Sequence, residues 1–176
     1  QVMGQLRDLM LEHARFHICI TPARPSASGS DAVEFQVAMN RAQAFTPLHK
    51  SASGGELSRL MLGLKCVFTH LQGIETVIFD EIDTGVSGRV AMAIGRKMQQ
   101  LAQDTQVLCV THLAQVAACA DQHLLVQKQD DGSVTSTSIH VLESDARIRQ
   151  LALIASGSVS SASLQAAREL LESARR

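Results

Sequence analysis

The chain has 176 residues, enough for one domain with a hydrophobic core. Hydrophobic residues make up 45% and charged residues 19%, which is typical of a soluble globular protein, and a net charge of -1 gives no bulk attraction to nucleic acid or to an anionic membrane. No apolar run reaches the roughly 18–20 residues of a membrane span, and the four cysteines form no CxxC pair, which favours buried thiols over a disulfide or a metal site.

The N-terminal part is predicted to form a helix followed by two strands. Apolar residues recur at helical spacing over residues 1–14. "RFHICI" then alternates as a strand, and "VEFQVAM" is a second one. Between them, "TPARPSASGSD" is rich in Pro, Ser and Gly, which is typical of a mobile connection. We therefore expect a hairpin with a long loop.

The middle of the chain alternates helices with apolar strands. A pair of glycines precedes the helical pattern "ELSRLMLGLKCVF". "TVIFDE" and "TQVLCVTH" are predicted as buried strands, separated by the helix "GRVAMAIGRKMQQLA" and followed by the short helix "LAQVAACA". This order predicts a parallel sheet that is covered on both faces, with ligands beyond the carboxyl ends of its strands.

The C-terminal part is predicted to form a hairpin and two helices. "HLLVQKQ" and "SVTSTSIHVL" flank "DDG", a hairpin signal. The segments "DARIRQLALIA" and "SLQAARELLESARR" then read as helices. The predicted fold class is thus α/β, with a parallel sheet, flanking helices and a small antiparallel hairpin.

Polar residues follow both predicted buried strands. Asp80 and Glu81 close the first strand, and adjacent residues of an extended chain point in different directions. One carboxylate could support a hydrated Mg²⁺ while the other positions a water, as phosphoryl transfer requires. The alternative is an ordinary solvated strand end. His112 follows the second strand, and its alternative is a capping or core histidine.

The glycine pair suggests an anion site at a helix N-terminus. Gly54 and Gly55 would bring backbone N–H groups close to a ligand, and the helix dipole favours phosphate there. Ser53 adds a hydroxyl at the N-cap region. The alternative is a plain tight turn before a helix.

The order and spacing of these motifs resemble the C-terminal half of an ABC-type ATPase head. Within that class the chain is similar to the RecN family of SMC-like bacterial DNA-repair proteins. The similar segments are "KSASGGELSRLMLGLK", "VIFDEIDTGVSGR", "VLCVTHLAQVAACADQHLLVQK" and "RIRQLALIASGSV". The resemblance covers nearly the whole chain and implies the C-terminal lobe of an ABC/SMC-type P-loop ATPase head, with residues 1–14 as the end of a returning coiled-coil helix and 15–176 as the lobe.

The resemblance also implies roles for individual residues. Asp80 would support Mg²⁺, Glu81 would polarise the attacking water, and His112 would sense the γ-phosphate. Ser87 stands where many ABC proteins have the D-loop aspartate. The signature that meets the γ-phosphate of ATP on a partner head would be Ser53, Gly54, Gly55 and Glu56.

The phosphate-binding loop of such ATPases does not occur in this sequence. There is no GxxxxGK[ST] pattern, and the chain begins with Gln1 rather than Met, which suggests a fragment or a processed chain. The resemblance thus implies that this chain alone is inactive. It would complete a composite ATP and Mg²⁺ site with an N-terminal lobe, in a homodimer of ATP-sandwiched heads. DNA as a partner, the SOS response and a location in the bacterial cytoplasm at the nucleoid are implied by the family alone, and no membrane is expected.

Three alternatives remain at this point. A transporter ATPase subunit is disfavoured by "GGELSRLML", and a cohesin-type or RecF-type head is disfavoured by "DTGVSG". A non-catalytic interaction domain is disfavoured by the intact pair of Asp80 and Glu81 and by His112.

Overall fold

The computed structural model describes residues 1–50, 54–130 and 135–175. The chain divides into two compact units. The first unit comprises residues 1–86 and 101–109, and the second comprises residues 87–100 and 110–176. One boundary between the units falls just before Leu101, the last residue of a helix. Another falls just before Val110, the last residue of a strand.

The first unit combines an antiparallel sheet, two helices and a parallel strand pair. Its elements are α1 (Val2–Asp8), β1 (Arg15–Ser26), β2 (Gly29–Ala38), β3 (Thr46–Pro47), a 3₁₀ turn (Leu48–Lys50), α2 (Gly54–Gln72), β4 (Thr76–Asp80) and β5 (Gln106–Val110). The strand order of the antiparallel sheet is β1-β2-β3, and β4 pairs with β5 in parallel. A cluster of aliphatic side chains from α1, the segment after it, β2 and α2 forms the core: Leu6, Leu11, Ala14, Val37, Leu60 and Leu64.

The predicted long loop between the first two strands is wrong. β1 continues through Pro22 to Ser26, and β2 begins at Gly29, so a tight turn replaces the expected connection. The pairing register shifts between Pro22 and Ser26. Proline is tolerated at such an irregularity on an edge strand, because no ladder hydrogen bond from its nitrogen is needed there.

Helix α1 is shorter than the predicted 1–14. Met10 adopts φ 59°, and the N–H groups of Met10 and Leu11 donate to the carbonyls of Arg7 (2.9 Å) and Leu6 (2.8 Å). This is the Schellman pattern that ends a helix, with Met10 in the position that usually holds glycine. Leu6 and Leu11 pack together in the core beside it, so burial fixes the end of the helix.

The sequence predicted that the strands β4 and β5 are buried on both faces. The structure shows that this prediction is wrong. Val77 and Phe79 are buried, but Ile78 between them is 63% exposed and Leu108 on β5 is 44% exposed. Among the described residues, one face of the pair is therefore covered, and apolar side chains of the other face lie in solvent.

The second unit is a small-residue helical core with a hairpin. Its elements are α3 (Gly88–Leu101), α4 (Ala114–Ala118), β6 (His123–Asp130), β7 (Thr135–Leu142), α5 (Ser144–Ser156) and α6 (Ser161–Ala174). Alanines, Cys119 and Leu151 form its buried cluster. α5 ends at Gly157 with φ 71°, and Ser160 and Ser163 form a capping box at the start of α6.

The hairpin of β6 and β7 is confirmed, with the pairs Leu124–Val141 and Val126–Ile139 directly opposite each other. The predicted turn over "DDG" lies largely outside the described residues. Of the described helices, none combines the length and the apolar character needed to cross a membrane.

Candidate nucleotide-binding half-site

The candidate site starts at the first turn of α2. The helix begins at Gly54, and Glu56 places an acid in its first turn, where it complements the helix dipole. Gly54 is exposed, and a Cβ there would meet no atom of the described residues within 4 Å. Ser53 lies outside the described residues, so its capping and signature roles stay predictions.

Gly55 packs against the loop that follows β4. A Cβ at Gly55 would lie 2.9 Å from the Gly85 carbonyl oxygen and 3.3 Å from Val86 Cγ1. Gly85 itself adopts φ 74°, a conformation that favours glycine. Sequence reasoning explained Gly55 by the approach of a phosphate, but the structure adds a second reason within this chain: the two backbones touch.

The acids at the end of β4 sit on a strained turn. Asp80 and Glu81 are both exposed, and Glu81 adopts φ 52°. The backbone N–H and the Oγ1 of Thr84 both donate to the Glu81 carbonyl, at 3.2 and 2.9 Å. A non-glycine residue in this region costs of order 1–3 kcal/mol and persists only where its surroundings enforce it, as at many functional sites. The two hydrogen bonds from Thr84 thus hold this turn in a defined conformation.

Sequence reasoning missed Asp83, which is fully buried in the same loop. The sequence analysis assigned functional roles to Asp80 and Glu81 only. Nothing in "DEID" indicates that its last acid is buried. On the neighbouring strand, burial raises the pKa of the Cys109 thiol to about 12, and the charges of Asp83 and Asp80 add to the shift. The predicted buried thiols are found at Cys66 and Cys119, whereas Cys19 and Cys109 are only partly buried.

A magnesium ion would need ligands beyond this loop. The described residues contain no group of three or more His, Cys, Asp or Glu side chains arranged to hold a metal. Mg²⁺ in nucleotide sites is usually held by one or two carboxylates together with phosphate oxygens and waters. The exposed Asp80 fits such a site only if bound phosphates supply the remaining ligands.

Two predicted site residues belong to the second unit. Ser87 is exposed just before α3, and its carbonyl accepts hydrogen bonds from the N–H groups of Val90 (3.2 Å) and Ala91 (3.4 Å). His112 lies between β5 and the N-cap of α4, and it is exposed in this chain. Gly54, Gly55, Glu56, Asp80 and Glu81 belong to the first unit.

The position of His112 depends on α4, which is held at both ends. At its start, the Leu113 N–H donates to Thr111 Oγ1 at 3.0 Å. Past its end, the guanidinium of Arg147 donates to the carbonyls of Ala117 and Ala118, both at 3.2 Å, and to that of Ala120. Sequence reasoning missed Arg147, because nothing in a helical pattern shows that a basic residue binds another helix's carbonyls.

The fold is similar to part of SMC head domains. Similar structures include the Smc head domain with a coiled coil and joint from Pyrococcus yayanosii, with a TM-score of 0.63 at 17% identity over 99% of this chain and 28% of that one. The Smc head with an extended coiled coil from Pyrococcus furiosus gives a TM-score of 0.65 at 16% identity, over 99% of this chain and 37% of that one. These likenesses confirm the predicted fold class.

Curated relatives identify the family. "DNA repair protein RecN" of Halalkalibacterium halodurans is 42% identical over 174 residues, which are 96% of this chain and 31% of the relative. The protein of that name from Streptomyces coelicolor is 42% identical over 99% of this chain and 33% of its own length. No protein-family model matches the chain. The chain belongs to the RecN family, corresponds to the C-terminal part of these proteins, and spans about a third of their length.

Alanine at Gly55 is expected to destabilise the folded protein. Its Cβ would lie 2.9 Å from a backbone oxygen, which cannot yield as a flexible side chain can. We expect a loss of about 1–3 kcal/mol in the free energy of unfolding, measured by urea denaturation. The matched control is Gly54→Ala, whose Cβ meets nothing within 4 Å. It should be neutral or stabilise by up to about 1 kcal/mol. Equal stability of the two variants would contradict the backbone contact.

Proposed function

We propose that this chain is the C-terminal part of the ATPase head of a RecN-like protein that acts in the repair of DNA double-strand breaks by recombination. The observation that carries the proposal is the packing of the glycine-led start of α2 against the loop after Asp80 and Glu81. It occurs in a chain about 40% identical to curated proteins named for DNA repair.

In this proposal each residue of the half-site acts on bound MgATP. Mg²⁺ would neutralise charge on the phosphates, with Asp80 as the carboxylate that supports it. Glu81 orients a water towards the γ-phosphate, and His112 responds to the presence of that phosphate. The start of α2 at Gly54, with Ser53 and Glu56, donates N–H groups and a positive dipole end to the γ-phosphate of ATP on a second head. Ser87 takes the place of a D-loop aspartate in the sequence.

The rest of the head is proposed to come from an N-terminal lobe. Exposed apolar side chains support this partner. On β4 and β5 they are Ile78 and Leu108, at 63% and 44% exposure. On the hairpin they are Leu124, Val126, Ile139 and Val141, between 45% and 65% exposed. Side chains of this kind gain about 1.5–3 kcal/mol each when fully buried, so a covering lobe is favoured at both places.

DNA is proposed as a partner of the complete protein and not of this chain alone. A net charge of -1 offers no general attraction to phosphate backbones. One structural relative, covering 99% of this chain at 14% identity with a TM-score of 0.56, was described in work on ATP-driven dimerization and DNA-stimulated activation of SMC ATPases. That description supports head pairing and DNA stimulation as the properties to test in the full-length protein.

The chain alone is expected not to bind ATP at micromolar concentration and not to hydrolyse it. The reason is that its sequence contains no GxxxxGK[ST] loop to cradle the phosphates. Isothermal titration calorimetry with MgATP measures this, and a protein extended to the length of the curated relatives is the positive control. A tight, Mg²⁺-dependent ATP site on the chain alone would contradict the half-site.

Glu81→Gln in the full-length protein is expected to slow ATP hydrolysis by about 10²–10⁴-fold, because a positioned base contributes that much to the rate. ATP should still bind, so ATP-bound dimers should accumulate in size-exclusion chromatography. The matched control is Glu75→Gln. It makes the same change at an exposed residue that directly precedes the first residue of β4. Normal turnover in Glu81→Gln would show that another group positions the water.

A mixing experiment tests whether the start of α2 acts on a second head. Gly54→Asp places a negative charge there without a steric clash with the described residues, because a Cβ at this position meets none of their atoms within 4 Å. It should block ATP-driven pairing and hydrolysis but leave ATP binding to the single head intact. Mixing it with a variant of the phosphate-loop lysine of the N-terminal lobe creates dimers in which one composite site is free of lesions. ATPase activity should then return in part.

If the start of α2 acted within its own head, every site of the mixed dimer would carry a lesion and no activity would return. Strict coupling of two sites would also prevent rescue, so pairing is measured alongside turnover by chemical cross-linking. Normal ATP-driven pairing of Gly54→Asp by itself would contradict the proposal.

A further inference from the structure

Arg59 joins two segments that lie far apart in the sequence. Its Nη1 donates to the carbonyls of Leu9, at 2.9 Å and 50 residues away, and of Met10, at 3.2 Å. Its Nε donates to the carbonyl of Gly55, at 3.2 Å. One half-buried side chain thus binds both the end of α1 and the first turn of α2.

The end of α1 is a place where a cation is especially favourable. The last carbonyls of a helix lack partners within the helix and carry partial negative charge. Met10 also holds the left-handed conformation with φ 59°, which costs energy in a residue other than glycine. Hydrogen bonds from a charged guanidinium to the carbonyls of Leu9 and Met10 stabilise this turn more than a neutral donor would.

The guanidinium remains charged in this position. Burial lowers the pKa of Arg59, and the neighbouring carboxylate of Glu56 acts in the opposite direction. Arginine is effectively always protonated in proteins, so the cation persists at neutral pH. Glu56 therefore contributes to the same junction from the first turn of α2.

Close packing further along the two helices restricts their relative movement. A Cβ at Gly63 of α2 would lie 3.3 Å from both Gln5 Cβ and Leu6 Cδ2 of α1. Leu6 and Leu60 are both fully buried in the shared cluster. A shift of α1 must therefore displace α2 or break this packing, because interiors deform little.

We propose that Arg59 is a positioning residue that fixes the start of α2 relative to the end of α1. A displacement of α1 then changes how readily the head binds the γ-phosphate of ATP on a second head. The inference rests on the proposed function. The contact of Gly55 with Gly85 extends the same junction to the loop that bears Glu81. Whatever part of the protein moves α1 would then regulate both the phosphate-facing turn and the catalytic acid.

The test compares three variants of the full-length protein. Arg59→Met keeps an apolar stem and removes every donor, whereas Arg59→Lys keeps the charge but has no donor at the Nε position. Lys65→Met is the control, a loss of a cation at an exposed residue of the same helix. The measurements are kcat and KM for ATP, ATP-driven pairing, hydrogen exchange of the amides of residues 56–60, and urea denaturation.

Arg59→Met is expected to lower kcat and pairing at least about tenfold with KM for ATP within about twofold of wild type, because the phosphate cradle lies elsewhere. Its amides at 56–60 should exchange faster without nucleotide. Arg59→Lys should recover part of the pairing, and Lys65→Met should match wild type. Normal pairing and exchange in Arg59→Met, with a wild type that pairs, would overturn the inference.

Two further outcomes separate the inference from its basis. If Arg59→Met unfolds and the folded Arg59→Lys pairs and exchanges normally, Arg59 only supports the fold and the inference fails. If the wild type neither hydrolyses ATP nor pairs, the proposed function fails. The regulatory role of Arg59 then fails too, because it rests on that function. Amide exchange still decides in that case whether Arg59 joins α1 to α2.

Discussion

The near-contact of two backbones, at Gly55 and Gly85, is the constraint on which the candidate site depends. A side chain at Gly55 would meet the Gly85 carbonyl oxygen at 2.9 Å, and Gly85 must hold φ 74°. The start of α2 and the loop after β4 are therefore one structural unit. The same loop carries Glu81, whose carbonyl is held by Thr84. The start of α2 therefore cannot move towards the loop with the acids unless that loop gives way.

Backbone strain in the first unit is concentrated at the borders of this junction. Met10 and Glu81 both have positive φ although neither is glycine. Each follows the end of a regular element, and each has its carbonyl bound by a side chain: Arg59 binds that of Met10, and Thr84 Oγ1 binds that of Glu81. Hydrogen bonds of this kind offset the cost of the left-handed conformation. Met10 is thus held by Arg59 of α2, and Glu81 is held by Thr84 within its own turn.

The sequence predicted those parts of the fold that local patterns determine. The helices from α2 onward, the hairpin of β6 and β7 and the polar residues after β4 and β5 follow from periodicity and turn chemistry. The end of α1 could not be predicted, because it depends on Arg59, 50 residues away, and on burial of Leu11. The length of β1 was missed because its prolines suggested a loop, while cross-strand pairing carried it past Pro22. The burial of Asp83 was also missed, since burial of a charge depends on tertiary neighbours.

The error about β4 and β5 has a different physical origin. A continuous apolar run favours a strand that is buried on both faces, but the run does not show which segment buries it. Val77 and Phe79 are buried, but Ile78, from the same apolar run, is 63% exposed. Exposed apolar surface of this extent normally marks an interface. The chain spans about a third of its curated relatives. Both faces of this strand are apolar, but only one is covered by the described residues. This is the expected form of a sheet that a second segment completes.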